Sequence, residues 1–80
     1  MNFGDATVLL QAGKPVAREG WNSRGVFLFL DSPTLGPKWG RAFVGVRQTI
    51  CMRAADGTIV VGWLASQADL LANDWAEVAL

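Results

Sequence analysis

The residues Trp21-Asn22-Ser23-Arg24-Gly25 place a large aromatic ring, an amide, a hydroxyl and a guanidinium within one short loop. That set has the chemistry to hold a nucleotide. The ring of Trp21, or of Phe27 just beyond, can stack on a base, a contact worth about 1–3 kcal/mol. Asn22 can read polar base edges, and Arg24 can meet phosphate through a planar, bidentate contact. The plainer alternative is a hairpin connection whose Trp packs on the core. Both readings stand at this point.

A second candidate is Leu64-Ala65-Ser66-Gln67-Ala68-Asp69. Ser66 reads as the N-cap of a short helix, with Asp69 at the capping-box position. The same geometry offers backbone N–H groups to an anion. Gln67 and Asp69 have the oxygens to accept ribose hydroxyls. Asp69 and Asp74 together could also be a catalytic carboxylate pair. Against that, both positions favour Asp for structural reasons, one as a cap and one as a turn.

Other chemistry is excluded by what the chain lacks. It has no His and one Cys, Cys51. Histidine-dependent nucleophile systems therefore cannot be built from it, and a zinc site is not expected. Neither a P-loop nor a Rossmann glycine fingerprint is present. The lone Cys51 reads as a small apolar filler, and a reducing compartment is expected. No cofactor is expected, and the reading is non-catalytic.

Charge narrows the partner. The 7 basic and 7 acidic residues give a net charge of zero. A protein that tracks long DNA or RNA needs a basic excess, so no nucleic-acid polymer is expected. A small anion needs only a few well-placed cations. Arg18, Arg24, Arg41, Arg47 and Arg53 outnumber Lys14 and Lys38, and Arg is the better phosphate partner. The longest apolar run, residues 26–30, is far too short to span a membrane, and the start lacks a basic signal-peptide region.

The elements that must position these groups can be read along the chain. Its 80 residues allow a single domain, 1–80. Asn2 can cap a helix that turns Phe3, Ala6, Leu9 and Leu10 to a core and stops at Gly13, with Pro15 beyond. Lys14 suits the helix dipole at that end. A short strand over Val16–Arg18 follows, then the loop, then a strand over 26–30. Alternation gives that strand two apolar faces, Val26, Leu28 and Leu30 against Phe27 and Phe29. One face can be covered by the helix. The other needs a second protomer, a ligand, or both.

Residues 31–40 read as a loop, and 43–47 as a possible further strand. Asp56-Gly57 predicts a two-residue hairpin turn between arms 49–55 and 58–64. That turn pairs Ala54 with Ile59, Met52 with Val61 and Ile50 with Trp63. It puts these six residues on one core face, and Thr49, Cys51, Arg53, Thr58 and Val60 on the other. A short helix over 67–73 and a last strand over 74–78 complete the chain. The fold class is α+β: an N-terminal helix, a small antiparallel sheet of four or five strands, and a short helix before the last strand. At 51% hydrophobic, with four Trp and four Phe, the chain carries more apolar surface than a core of this size absorbs. Self-association is the expected remedy.

These residues also carry a resemblance. Val16-Ala17-Arg18-Glu19-Gly20-Trp21-Asn22, then Gly25 and Phe27-Leu28-Phe29-Leu30, is similar to the N-terminal signature of a small phage and prophage family. Ala55-Asp56-Gly57-Thr58-Ile59-Val60, Trp63-Leu64-Ala65-Ser66-Gln67, Asp69-Leu70-Leu71-Ala72 and Asp74-Trp75 resemble its C-terminal signature. The family is the second type of Thoeris anti-defence protein. The resemblance implies a sponge that binds glyco-cyclic ADP-ribose immune signals without cleaving them, and in some members cyclic oligonucleotides at separate sites. It implies a small α+β protomer assembled as a homotetramer, with pockets at subunit interfaces, acting in the cytoplasm of the infected bacterium. Pocket roles carry over to Trp21, Asn22, Phe27, Ser66, Gln67 and Asp69, and more loosely to Arg24. The chain departs from the family pattern mainly over 31–48. The alternatives are an enzyme that degrades such a signal, with Asp69 or Asp74 as base, and a protein-binding phage accessory.

Overall fold

A computed structural model describes residues 1–21, 25–31 and 48–79. Helix α1 spans Phe3–Gln11. The Asn2 side chain accepts from the Asp5 backbone N–H at 2.8 Å, and Asp5 accepts from the Asn2 N–H at 3.3 Å. This reciprocal pair satisfies two of the donors a helix start leaves open. The other end closes at Gly13, whose φ is +83°. Its N–H reaches Leu10, and the Lys14 N–H reaches Leu9, each at 3.0 Å. A left-handed residue with both bonds is the terminator that favours glycine. Ala6 and Leu10 are buried, with Phe3 and Leu9 packed beside them, so the expected core stripe is the observed one.

Among the described residues, five strands form one antiparallel sheet: β1 (Val16–Arg18), β2 (Phe27–Asp31), β3 (Thr49–Arg53), β4 (Ile59–Val61) and β5 (Trp75–Glu77). Their order is β4-β3-β2-β1-β5. A one-turn helix, α2 (Gln67–Leu70), precedes the last strand. The α+β class and its element order are as the sequence predicts. Helix α2 is shorter than the 67–73 expected. The Asp69 carbonyl takes a long, tight-turn bond from the Ala72 N–H at 3.4 Å and a shorter one from the Trp75 indole N–H at 2.9 Å.

The core lies between α1 and one sheet face. Ala6, Leu10, Val16, Leu28 and Trp75 are buried there, and Leu30, Ile50, Met52 and Trp63 pack against them. In β5, Trp75 stands opposite Arg18 and Glu77 opposite Val16. Strict alternation therefore holds, and Trp75 and Glu77 share the helix-side face. Glu77 sits at the rim, where Lys14 pairs with it at 3.4 Å.

The hairpin departs from expectation by one residue. Observed partners are Arg53 with Ile59, Met52 with Val60 and Cys51 with Val61. The turn holds three residues, Ala55, Asp56 and Gly57, closed by Ala54 N–H to Thr58 O at 2.8 Å. Gly57 takes φ +89°, while Asp56 Oδ1 accepts from the Thr58 N–H at 3.0 Å and its hydroxyl at 2.6 Å. A three-residue loop with a left-handed third residue competes with the two-residue turn, and the Asp56 side chain tips the choice. The slip turns every β4 side chain over. Ile59 and Val61 thus face away from α1 with Cys51 and Arg53, and are exposed, instead of joining the core. Gly62, at φ +79°, then adds a residue, and the Trp63 N–H bonds to Ile50 O at 2.7 Å. This bulge returns Trp63 to the core face, where it was expected.

The second sheet face carries Phe27, Phe29, Cys51, Arg53, Ile59 and Val61 by alternation from the paired strands. A shallow cavity of about 400 Å³ lies there, lined by Gly13, Pro15, Phe27, Phe29, Leu30 and Ile59. The possible strand at 43–47 lies outside the described residues.

Candidate functional site

Two turns meet at one end of the helix-side face. The first follows β1. Arg18 O accepts from the Trp21 N–H at 3.1 Å, so residues 18–21 form a tight reversal. The second is the start of α2, where Ser66 Oγ accepts from the Asp69 N–H at 3.1 Å, the expected cap. Asp74, between α2 and β5, receives the Gly20 N–H on its carboxylate at 2.8 Å and the Glu19 N–H on its carbonyl at 2.9 Å. A Cβ at Gly20 would lie 2.9 Å from that carboxylate. A side chain there would have to push the Asp74 carboxylate aside.

Arg18 ties the two turns together. Its Nε donates to Asp74 Oδ1 at 2.8 Å and its NH1 donates to Asp69 Oδ1 at 2.9 Å. Asp69 Oδ1 also faces the Trp21 indole N–H at a longer 3.4 Å. The three charged side chains are largely shielded, with 17–32% of their surface exposed. Hydrogen bonds from Arg18 hold the Asp74 carboxyl below its usual range. Burial pushes the Asp69 carboxyl up, but hydrogen bonds with Arg18, Ser66 and Trp21 outweigh it and leave the group lowered as well. The guanidinium is held protonated by both partners, Asp74 foremost. Two carboxylates facing one guanidinium leave the corner with a negative excess.

Aromatic rings back this corner. Trp21 lies edge-on to Trp75, with centroids 5.3 Å apart, and to Trp63 at 6.4 Å. Phe3 completes the cluster, 5.1 Å from Trp75. Edge-to-face geometry at these separations is favourable beyond simple burial. Trp21 remains only partly buried. It therefore packs on the core, as the plainer reading of the loop held, and still presents part of its ring outward.

Of the residues singled out by sequence, the structure brings Trp21, Ser66 and Asp69 together. Gln67 is the exposed first residue of α2, beside them. Phe27 is elsewhere, on the opposite sheet face, 6.1 Å from the Phe29 ring and 6.0 Å from the Arg53 guanidinium. Asn22 and Arg24 lie outside the described residues. Arg18 is the site residue that sequence reasoning passed over. Its partners are 51 and 56 positions away, and no local pattern signals such a pairing. Among the described residues, no group of three or more His, Cys, Asp or Glu is placed to hold a metal ion.

The geometry above can be set beside known proteins. The family model for the Thoeris anti-defense 2-like domain matches residues 1–78. The chain belongs to the Thoeris anti-defense 2-like family. A relative from Bacillus phage SP01, Thoeris anti-defense 2, is 38% identical over 86 residues, covering 99% of this chain and 96% of that protein. An anti-defence role follows at the level of the family. Both turns of the corner, 18–21 and 66–74, lie inside the matched span. In this Thoeris anti-defense 2-like chain, the corner is therefore part of the shared domain and not an appended segment. No helix among its described residues is long and apolar enough to cross a membrane.

Proposed function

We propose that the protein is an anti-defence sponge that binds and sequesters glyco-cyclic ADP-ribose without cleaving it. The observation that carries this reading is the convergence of Trp21, Ser66 and Asp69, from segments far apart in sequence, at one corner of a domain whose whole length matches the family. The exposed part of the Trp21 ring takes a base by stacking. Asp69 and Gln67 take ribose hydroxyls, since an ionised carboxylate is a pure acceptor. The negative excess of the corner disfavours phosphate beside Asp69, so the phosphates need a cation other than Arg18, which both carboxylates already engage. Phe27, on the other face, serves a neighbouring pocket, in which a cyclic oligonucleotide is the candidate ligand.

Sequestration requires tight binding, about −12 kcal/mol for a nanomolar Kd. A corner open to solvent on one protomer gives little of that. Assembly as a homotetramer, with the pockets closed by neighbouring copies in the cytoplasm of the infected host, supplies the missing walls. The alternative of a degrading enzyme fares less well. A general base works best with a pKa near the operating pH, whereas Asp69 and Asp74 are both held low.

The test is direct. Pure protein is mixed with the product of an activated TIR-domain synthase, filtered free of unbound ligand, and heated. Mass spectrometry of the released molecules should find intact glyco-cyclic ADP-ribose. A breakdown product would mean catalysis, and ligand found wholly in the first filtrate would remove the sponge reading.

A further inference from the structure

We infer that Arg18 is a positioning residue for nucleotide capture: it fixes the Trp21 ring and the 66–69 turn in the relative placement that the pocket needs. The inference rests on the sponge reading for its functional half, and on geometry alone for its structural half.

Arg18 itself is directed away from any ligand role. Its Nε and NH1 are spent on Asp74 and Asp69, and NH2 lies 3.5 Å from Asp74 Oδ2. What it holds is more telling. Through Asp74 it fixes the Gly20 N–H, one residue before Trp21. Through Asp69 it reaches the Trp21 indole and the first turn of α2. Its own carbonyl receives the Trp21 N–H. Trp21 is thus tied at the backbone and at the ring to groups that Arg18 orients. Without the guanidinium, Asp69 and Asp74 would repel each other across the same space, and Asp69 with the start of α2 would lose its tie to the 18–21 turn, which the Gly20 and Glu19 N–H groups hold only to Asp74.

A planar fork is required for this task. Arg presents donors in fixed directions, and here they address two carboxylates at once. Lysine keeps the charge, but all its donors leave one nitrogen, so it cannot reproduce the contacts that Nε, NH1 and NH2 make from separate positions. Arg18→Lys therefore separates charge from geometry.

The experiment uses the full chain. Near-ultraviolet circular dichroism reports the packing of Trp21 on Trp63 and Trp75 without any ligand. Arg18→Lys should alter that spectrum while the far-ultraviolet spectrum is kept, and should weaken capture of glyco-cyclic ADP-ribose about tenfold, the size expected for a lost orienting interaction. In a Trp21→Phe background, which lacks the indole N–H, the same substitution should cost less than about twofold, because contacting residues are non-additive. A tenfold loss in both backgrounds would overturn the inference, as would an unchanged aromatic spectrum. Should Arg18→Lys fail to fold, Asp69→Ala, which removes the oxygen that Arg18 NH1 and the Trp21 indole both address, should give the same spectral change. Its absence there would be equally decisive against the inference. If the wild-type protein captures no nucleotide, the sponge reading falls, while the spectrum still decides whether Arg18 sets Trp21.

Discussion

Trp21 serves two ends at once, and substitutions there must be read with both in mind. Its ring packs against Trp75 and Trp63 while remaining partly exposed. Trp21→Ala is expected to abolish ligand capture and also to lower stability by about 1–3 kcal/mol, below the 3–5 kcal/mol of a fully buried aromatic. Thermal melting beside a filtration assay separates the two effects, and full capture by a destabilised Trp21→Ala protein would remove Trp21 from the pocket. The carboxylates make a second expectation. Asp69 and Asp74 have lowered pKa values in the fold. Their contribution to stability is thus present above the unfolded carboxylate value, about 3.9. It is lost as pH falls through the lower folded values. The melting temperature should be level from about pH 5 to 8 with respect to these groups, and decline below about pH 4. Asp74→Asn should make that decline shallower, and an unchanged acid slope would show that Arg18 gives Asp74 no linkage. At this scale the sequence was partly legible. Ser66 and Asp69 lie three residues apart in a capping pattern, and Trp21 stands in a nucleotide-like loop. Arg18 was silent because a strand residue announces its own face but not a partner more than fifty positions away.

The β3–β4 hairpin shows how one turn residue controls a whole face. With Gly57 at φ +89° the turn holds three residues, and Ile59 and Val61 point away from α1. Gly62 at φ +79° then restores Trp63 to the aromatic cluster. An L-residue with a Cβ pays about 1–2 kcal/mol in that conformation. Gly57→Ala and Gly62→Ala should each destabilise by about that much, measured by urea unfolding, although open space surrounds Gly62. The second change carries a further consequence, because a straightened strand would withdraw Trp63 from Trp21. Ligand capture should therefore suffer more from Gly62→Ala than from Gly57→Ala, and equal effects would mean that the bulge is not what seats Trp63. The sequence makes the hairpin plain through Asp56-Gly57, and α1 through Asn2 and Gly13. It misassigned the register because Asp-Gly suits turns of two and of three residues, and the choice rests on the Asp56 side chain gripping Thr58. A second glycine, five residues later, reads as ordinary strand punctuation until its dihedral is known.

On the scale of the molecule, an 80-residue chain buries only a modest share of its surface. Its buried cluster on the helix side is Ala6, Leu10, Val16, Leu28 and Trp75. Meanwhile Ile59 and Val61, at 50% and 64% exposure, stand on the sheet face that also carries Phe27 and Phe29. Exposed apolar side chains grouped in this way mark interaction surfaces more often than isolated ones do. Covering them with a second copy would offset the cost of exposure, and would fit the tetramer proposed above. Val61→Lys places a charge on β4, the edge strand of that face, where burial without a partner is unfavourable. Light scattering at micromolar concentration should find the wild-type protein as an oligomer and the Val61→Lys protein in a smaller state, with its circular dichroism unchanged. Persistence of the oligomer would move the interface to the rim of Leu64 and Leu71, the most exposed leucines among the described residues, which flank α2. A wild-type monomer would instead mean that the pocket closes without a neighbour. Trp21 and Asp69 would then have to hold their ligand from one protomer alone.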